Sequence, residues 1–106
     1  MFTDNLTSVE KKITILIVDD HKLIRDTWSF ILNSDERFQV IAETDTGQSA
    51  IEISDSYHPD IILMDINMSP MNGFEATKEI RRISPSSKII GVSMHSQPAY
   101  AKKMLQ

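Results

Sequence analysis

The sequence contains no cysteine and only three glycines among its 106 residues. The absence of cysteine excludes a disulfide scaffold, a thiolate metal site and a cysteine nucleophile. No apolar run approaches the roughly 18 to 20 residues that span a membrane, and residues 1–12 lack the apolar segment of a secretory signal. Basic residues are also fewer than acidic residues, since the sequence has 11 lysines and arginines and 15 aspartates and glutamates. We therefore expect one small cytoplasmic domain with neither a membrane partner nor a nucleic-acid-binding surface of its own.

The rest of the sequence alternates between short apolar runs and helical patterns. Four short runs rich in apolar residues predict strands: residues 13–18, 38–42, 61–64 and 88–93. The first run is apolar at nearly every position, which is typical of a strand buried on both faces of a parallel sheet. Four segments carry apolar residues at helical spacing: residues 21–33, 46 to near 58, 72 to just before Pro85, and from Ser96 onwards. Asn72 and Glu75 have the spacing of a capping box at the start of the third helix.

Strands and helices that alternate in this way predict an α/β fold, a doubly wound parallel sheet with helices on both faces. Ligands of such sheets bind beyond the carboxyl ends of the strands. Polar residues do follow three of the predicted strands: Asp19 and Asp20 after the first, Asp65 after the third, and Ser93 after the fourth. We therefore expect these side chains to lie together at one edge of the sheet.

Three aspartates gathered at one edge would need a counter-charge. At about 4–6 Å, each carboxylate pair would repel by roughly 3–4 kcal/mol at an effective dielectric near 20. A hard divalent cation, Mg²⁺ or Mn²⁺, is the simplest solution, and one aspartate could then attack a phosphoryl group. A single Asp or Ser after a strand is more often a helix cap or turn residue, so the inference depends on the combination. The histidines show no metal-ligand spacing and are expected on the surface or rim: His21, His58 and His95.

These residues together resemble the receiver domain of two-component response regulators. The matching features are the pair Asp19-Asp20, the segment 60–73 (DIILMDINMSPMNG) and Ser93, and the resemblance covers residues 13–106. It implies a flavodoxin-like receiver fold with strand order 2-1-3-4. Residues 93–100 are similar to the LuxR/FixJ-type subfamily, whose members usually carry a helix-turn-helix domain downstream. Residues 1–12 would then form a polar leader that we expect to be flexible.

The resemblance implies a role for each polar residue. Asp65 resembles the aspartate that a sensor histidine kinase phosphorylates, and Ser93 resembles the hydroxyl residue that hydrogen-bonds the phosphoryl group. Asp20, Asp65 and the main-chain carbonyl of Asn67 resemble the ligands of Mg²⁺, with Mn²⁺ as a possible substitute. Asp19 resembles the acid that acts through a metal-bound water. The implied protein is a phosphoacceptor rather than an enzyme, and it would regulate transcription through a downstream DNA-binding domain.

The sequence departs from the receiver pattern in two places. The usual Met-Pro after the phosphorylation site is Met68-Ser69-Pro70 here. The fifth strand, its lysine and the fifth helix are also absent, since Lys102 and Lys103 fall on the predicted fourth helix, where solvated lysines are expected. We therefore expect a receiver truncated before its last βα unit, with strand 88–93 left as an apolar edge. A homodimer or edge-strand pairing could cover that edge.

Two other functions fit parts of the pattern. A receiver with impaired phosphorylation would act as a protein-binding module, which the missing lysine favours and the intact acid pair opposes. An aspartyl phosphatase would need a second acid two residues after its nucleophile, where this sequence has Asn67. A nucleotide-binding flavodoxin-like protein is disfavoured because no glycine-rich loop follows the first strand.

Overall fold

The computed structural model describes residues 11–68 and 70–92. Within these residues, strands and helices alternate as β1 (Ile13–Val18), α1 (Lys22–Asn33), β2 (Phe38–Thr44), α2 (Gly47–Tyr57), β3 (Ile61–Asp65), α3 (Gly73–Ile83) and β4 (Lys88–Val92). Ser93 and the helix predicted from Ser96 lie outside the described residues. None of the described helices is both long and apolar enough to cross a bilayer.

The four strands form one parallel sheet in the order β2-β1-β3-β4. The predicted doubly wound α/β fold and its strand order are therefore confirmed. β2 is two residues longer than predicted, because the pairing with β1 passes over Ile41 in a bulge and continues to Thr44. The apolar pattern ended at Ala42, and the polar residues that follow it still pair with the buried end of β1.

The largest apolar core lies between the sheet and the pair of helices α2 and α3, which pack against each other. Alternate residues of a strand face opposite sides of the sheet, so each strand gives this core every second residue. The two central strands and the two helices supply its innermost members: Leu16, Val18, Ala50, Ile62, Met64, Ala76 and Ile80. This core holds the carboxyl ends of β1 and β3 in fixed positions.

The other face of the sheet is covered less completely. α1 packs against β1 and β2, and Ile15 and Ile17 beneath it are buried. No residue of α1 is itself buried, and Leu23 and Phe30 are both 76% exposed. Ile90 of β4 is 48% exposed on the same face. Apolar surface therefore remains open around α1 and β4 in the described part of the chain.

Helices α2 and α3 both begin near the carboxyl edge of the sheet and are capped there. The Thr46 hydroxyl accepts a hydrogen bond from the Ser49 N–H at 3.1 Å. Asn72 Oδ1 accepts from the Glu75 N–H at 2.9 Å, and Glu75 Oε1 accepts in return from the Asn72 N–H at 3.1 Å. The capping box predicted from the sequence is therefore present. These caps satisfy N–H groups that a helix leaves without intrahelical partners.

At the amino-terminal ends of the strands, polar side chains form hydrogen bonds that connect the strands and loops. Asp60 Oδ2 accepts hydrogen bonds from the N–H and the hydroxyl of Thr14, at 2.8 and 3.0 Å, and so joins β3 to β1. The Ser87 hydroxyl donates to the Pro59 carbonyl, and the Ser84 and Ser87 hydroxyls lie 2.7 Å apart. Asp60 belongs to the receiver-like segment, yet it lies at the other end of β3 from Asp65.

Candidate metal centre

The structure brings together the three aspartates predicted to meet at the carboxyl edge. One ligand atom from each of Asp19, Asp20, His21 and Asp65 lies within 4.8 Å of the other three. We call the three carboxylates, Asp19, Asp20 and Asp65, the acidic cluster. Asp19 and Asp65 are buried, whereas Asp20 is exposed. The cluster therefore has a buried floor and one solvent-facing acid.

Asp19 is held by its main chain from two sides. Its N–H donates to the Thr44 carbonyl at 3.0 Å, which extends the pairing of β1 with β2 by one residue. The Arg25 Nη1–H donates to the Asp19 carbonyl at 2.8 Å, and Arg25 Nε lies 3.6 Å from Glu43 Oε1 of β2. Arg25 thus joins α1 and β2 to the strand end that carries Asp19, while the Asp19 carboxylate stays within the acidic cluster.

Asp65 is the last residue of β3 and is only 2% exposed. Its Oδ1 accepts a hydrogen bond from the Asn67 N–H at 2.9 Å. Its Oδ2 is buried and has no hydrogen-bond partner among the described residues. A buried carboxylate oxygen without a partner is costly in a folded protein. This atom therefore points to a cation or a reacting group as its functional partner.

Burial is the main reason why the pKa of Asp65 lies above its ordinary value. The Asn67 N–H opposes the rise by stabilising the ionised form, and the charges of Asp19 and Asp20 add to it. His21 lowers the pKa of Asp65 again through its own charge. Asp65 therefore carries its negative charge at a free-energy cost that a divalent cation would remove.

His21 joins the acidic cluster, which the sequence spacing did not predict. Its Nδ1 lies 3.0 Å from Asp19 Oδ1 and 2.9 Å from Asp20 Oδ1. The hydrogen bond to Asp19, followed by the charge of Asp20, raises the pKa of His21. The side chain is 61% exposed, so the predicted rim position is right. Its place directly after the two aspartates is the signal that sequence reasoning passed over.

Gly73 is a second feature of the site that the sequence pattern did not predict. A Cβ at this position would lie 2.5 Å from both the Asp65 carbonyl oxygen and Ile66 Cα. The Gly73 N–H donates to the Ile66 carbonyl at 3.3 Å. The start of α3 therefore rests on the backbone that carries Asp65, and only glycine permits this close approach.

The remaining predicted residues are placed less fully. Asn67 is exposed, and its N–H is the hydrogen-bond donor to Asp65. Met68 is buried in the core close to the cluster. Ser69, where the loop departs from the receiver pattern, lies outside the described residues, as does Ser93.

The acidic cluster fits a hard divalent cation. Among the described residues, His21 is the only basic side chain within ion-pair distance of these carboxylates. The nearby Arg25 guanidinium donates to the main-chain carbonyl of Asp19 and not to a carboxylate of the cluster. Carboxylate oxygens together with water are the usual surroundings of Mg²⁺ in proteins. The free Oδ2 of Asp65 provides a ligand atom that nothing in the described structure satisfies.

A family profile described as "Response regulator receiver domain" matches residues 15–106. The transcriptional regulatory protein DegU of Brevibacillus brevis is 40% identical over 97 residues, which span 92% of this chain and 41% of that protein. The chain thus spans less than half the length of this relative.

Solved structures show the same likeness. A LuxR-family two-component response regulator from Aurantimonas superposes with a TM-score of 0.82 at 28% identity, over 90% of this chain and 68% of that one. The Borrelia burgdorferi complex described as CheX-CheY-BeF3-Mg+2 gives a TM-score of 0.80 at 25% identity, over 88% and 70% of the two chains. Both similarities extend over most of this chain.

Proposed function

The chain belongs to the response regulator receiver domain family, and we propose that it accepts a phosphoryl group on Asp65 from a sensor histidine kinase in the bacterial cytoplasm. The observation that carries the proposal is the buried, unpartnered Oδ2 of Asp65 inside the acidic cluster. Receiver domains are generally phosphoacceptors and not enzymes. The acceptor here would take part in its own phosphorylation and dephosphorylation.

In the proposed transfer, a carboxylate oxygen of Asp65 attacks the phosphorus of a phosphohistidine in line. The new O–P bond forms as the P–N bond breaks, and the donor imidazole leaves with the electron pair and takes up a proton. The Asn67 N–H orients the Asp65 carboxylate through a hydrogen bond to Oδ1. Phosphoryl transfer depends mainly on such positioning and on charge stabilisation.

The proposed cofactor is Mg²⁺, with Mn²⁺ as a substitute, since receiver domains bind Mg²⁺ at an acidic site. Asp20, Asp65 and the main-chain carbonyl of Asn67 would hold the cation, and Asp19 would act through water. A cation held there would neutralise charge on the phosphoryl oxygens. The similar Borrelia burgdorferi complex contains Mg²⁺ by its own description, which supports the assignment of this metal.

The proposed response runs from Asp65 to the segment after β4. Phosphorylation adds about 1.5 to 2 negative charges and strong acceptor oxygens. Ser93, one residue beyond β4, would donate a hydrogen bond to them and bias that segment between two arrangements. The output would be transcription, through a DNA-binding domain further along the full protein. The likeness to a transcriptional regulatory protein more than twice as long as the matched region supports this part.

The aspartyl-phosphatase alternative gains no support from the structure. That function needs a proton donor two residues after the nucleophile, and Asn67 occupies the position. Its N–H holds Asp65, and an amide side chain cannot exchange a proton as an acid would. The binding-module alternative is opposed by the complete set of three clustered carboxylates.

Intact mass measurement tests the proposal directly. The protein is incubated with a small phosphodonor such as acetyl phosphate and Mg²⁺, and we expect a mass gain of one phosphoryl group. Asp65→Asn should abolish the gain. Asp55→Asn, which changes an exposed aspartate of α2, should leave it intact. A gain that survives in Asp65→Asn, or no gain in the unmodified sequence, would contradict the proposal.

A further inference from the structure

His21 places an imidazole nitrogen beside two carboxylates of the acidic cluster. Its N–H donates to Asp19 Oδ1 at 2.8 Å, so the residue turns back towards the aspartate two positions before it. This turn brings Nδ1 to 3.0 Å from Asp19 Oδ1 and 2.9 Å from Asp20 Oδ1. Ionised carboxylates only accept hydrogen bonds, so Nδ1 carries the proton in these contacts, and a cation that binds this nitrogen would displace that proton.

Neither helix capping nor packing explains this orientation of His21. It precedes α1 at the N-cap position, but its side chain makes no capping hydrogen bond. It is also 61% exposed, so packing does not hold it in place. Its side-chain partners are Asp19 and Asp20, which the proposed function assigns to the metal.

A second, independent observation points to a ligand at the same place. Asp65 Oδ2 is buried without a hydrogen-bond partner among the described residues, and Asp65 contributes a carboxylate oxygen to the same group of ligand atoms within 4.8 Å of one another. A cation among these atoms would satisfy Oδ2 and would have the His21 imidazole within reach. The donor set would then contain one nitrogen in addition to carboxylate oxygens.

We propose that His21 is a nitrogen ligand of the cation held by Asp20 and Asp65, and that it shifts the preference of the site from Mg²⁺ towards first-row transition metals. This inference rests on the proposed function, since it requires that the acidic cluster holds a metal. Mg²⁺ favours oxygen ligands, whereas imidazole suits Mn²⁺ less than it suits Co²⁺, Ni²⁺ and Zn²⁺. The affinity of the site relative to its affinity for Mg²⁺ should therefore be higher for Ni²⁺ than for Mn²⁺.

The matched variant is His21→Asn, which exchanges the nitrogen donor for an amide oxygen. Asparagine is a favoured N-cap residue, so this change does not weaken the start of α1. The control is His58→Asn, which changes an exposed histidine after α2. His58 has a positive φ of 46°, and asparagine tolerates this left-handed conformation. His58→Asn removes the contact of His58 Nδ1 with Ser84 Oγ at 3.0 Å, but Ser84 Oγ keeps the Ser87 hydroxyl as a partner at 2.7 Å. Both variants should therefore keep the fold.

Pulsed electron paramagnetic resonance of bound Mn²⁺ shows whether a nitrogen is coordinated. We expect nitrogen coupling in the unmodified protein and in His58→Asn, and its loss in His21→Asn with Mn²⁺ still bound. Competition titrations should show that the ratio of Ni²⁺ to Mg²⁺ affinity falls about tenfold or more in His21→Asn, the lower limit for changes around metal ligands.

Failure of this inference and failure of the proposed metal site give different results. Mn²⁺ that binds without nitrogen coupling, or an unchanged Ni²⁺ to Mg²⁺ ratio in His21→Asn, would overturn the role of His21 alone. Tighter binding of both metals in His21→Asn would show that His21 competes with the cation, and would also overturn it. No Mn²⁺ binding, or binding unaffected by Asp20→Asn, would overturn the metal site itself.

Discussion

At the scale of single residues, the buried carboxylate of Asp65 lowers the stability of the folded protein. Its carboxylate is buried, with one oxygen bonded to the Asn67 N–H and the other without a described partner. The charges of Asp19 and Asp20 add to the cost of ionising it. The sequence predicted that these acids meet because each follows a strand. It could not predict the turn that brings His21 into the group, since no periodicity encodes a side chain that folds back on its neighbour.

Asp65→Asn should stabilise the protein when no metal is present. An amide keeps the acceptor for the Asn67 N–H, removes the buried charge and offers a donor to the neighbouring carboxylates. We expect the free energy of unfolding at pH 7 to rise by about 1–3 kcal/mol, the usual cost of a buried polar group that lacks a partner. Urea unfolding in the presence of a chelator measures the change, with Asp55→Asn as the control.

The advantage of Asp65→Asn should depend on pH. The folded-state pKa of Asp65 is raised, so above the ordinary value near 3.9 the folded protein retains a proton that the unfolded chain releases. The stability contributed by this group therefore falls as pH rises through that window. We expect the difference between variant and unmodified protein to grow across the window and to disappear below it. A difference that is constant with pH would contradict the burial of an ionised Asp65.

At the scale of secondary-structure elements, the site depends on how closely α3 approaches the end of β3. The sequence predicted the four strands, the helices between them and the capping box, because apolar periodicity and cap residues are local signals. The predicted β2 lacked Glu43 and Thr44, which follow the bulge and pair with Ile17 and Val18 of β1. Both are polar, so the apolar pattern of the sequence did not indicate that the strand continues. The contact of Gly73 with the Asp65 backbone is also tertiary, and no local pattern reveals it.

Gly73→Ala should harm both the fold and the site. The added Cβ would lie 2.5 Å from two backbone atoms next to Asp65, so the backbone must move. We expect a loss of about 1–3 kcal/mol, as for other overpacked positions, and slower phosphorylation of Asp65. Denaturant unfolding and the rate of phosphoryl mass gain measure the two effects.

Gly47→Ala is the matched control for Gly73→Ala. A Cβ at Gly47 would lie 3.0 Å from Sδ and 3.1 Å from Cγ of Met71, and 3.3 Å from the Ala76 methyl. The flexible end of Met71 can yield, whereas the backbone at Asp65 cannot. The loss of stability should therefore be smaller at Gly47. Equal losses at the two positions would contradict the conclusion that the backbone beside Asp65 leaves no room for a Cβ at Gly73.

At the scale of the whole molecule, the two faces of the sheet are covered unequally. α2 and α3 enclose a continuous core on one face, while α1 contributes no buried residue on the other. β4 lies at the edge of the sheet within the described residues, and its Ile90 is half exposed. Exposed apolar surface often marks a contact with another protein surface when it forms a large patch. Homodimer formation or edge-strand pairing, which the sequence led us to expect, stays a prediction for this face.

Substitutions of the exposed apolar residues of α1 should change the surface of the protein without changing its free energy of unfolding. Leu23→Lys combined with Phe30→Lys alters two side chains that are each 76% exposed. We expect the free energy of unfolding to stay within about 0.5 kcal/mol for each change, while binding of a hydrophobic dye and any self-association decrease. Ile15→Ala, at a buried position under α1, should instead cost about 2–5 kcal/mol. A large loss in the Leu23 and Phe30 variant would show that α1 packs through these residues.

Mapping the phosphorylated residue shows whether Asp65 is the phosphoacceptor. An acyl phosphate is reduced by borohydride, and trypsin then separates residues 38–78, which contain Asp65, from residues 13–22, which contain Asp19, Asp20 and His21. We predict that the protein treated with phosphodonor and Mg²⁺ is reduced at Asp65, in the fragment 38–78 alone. Reduction in the fragment 13–22, or at another aspartate of 38–78, would contradict the assignment of Asp65 as the phosphoacceptor.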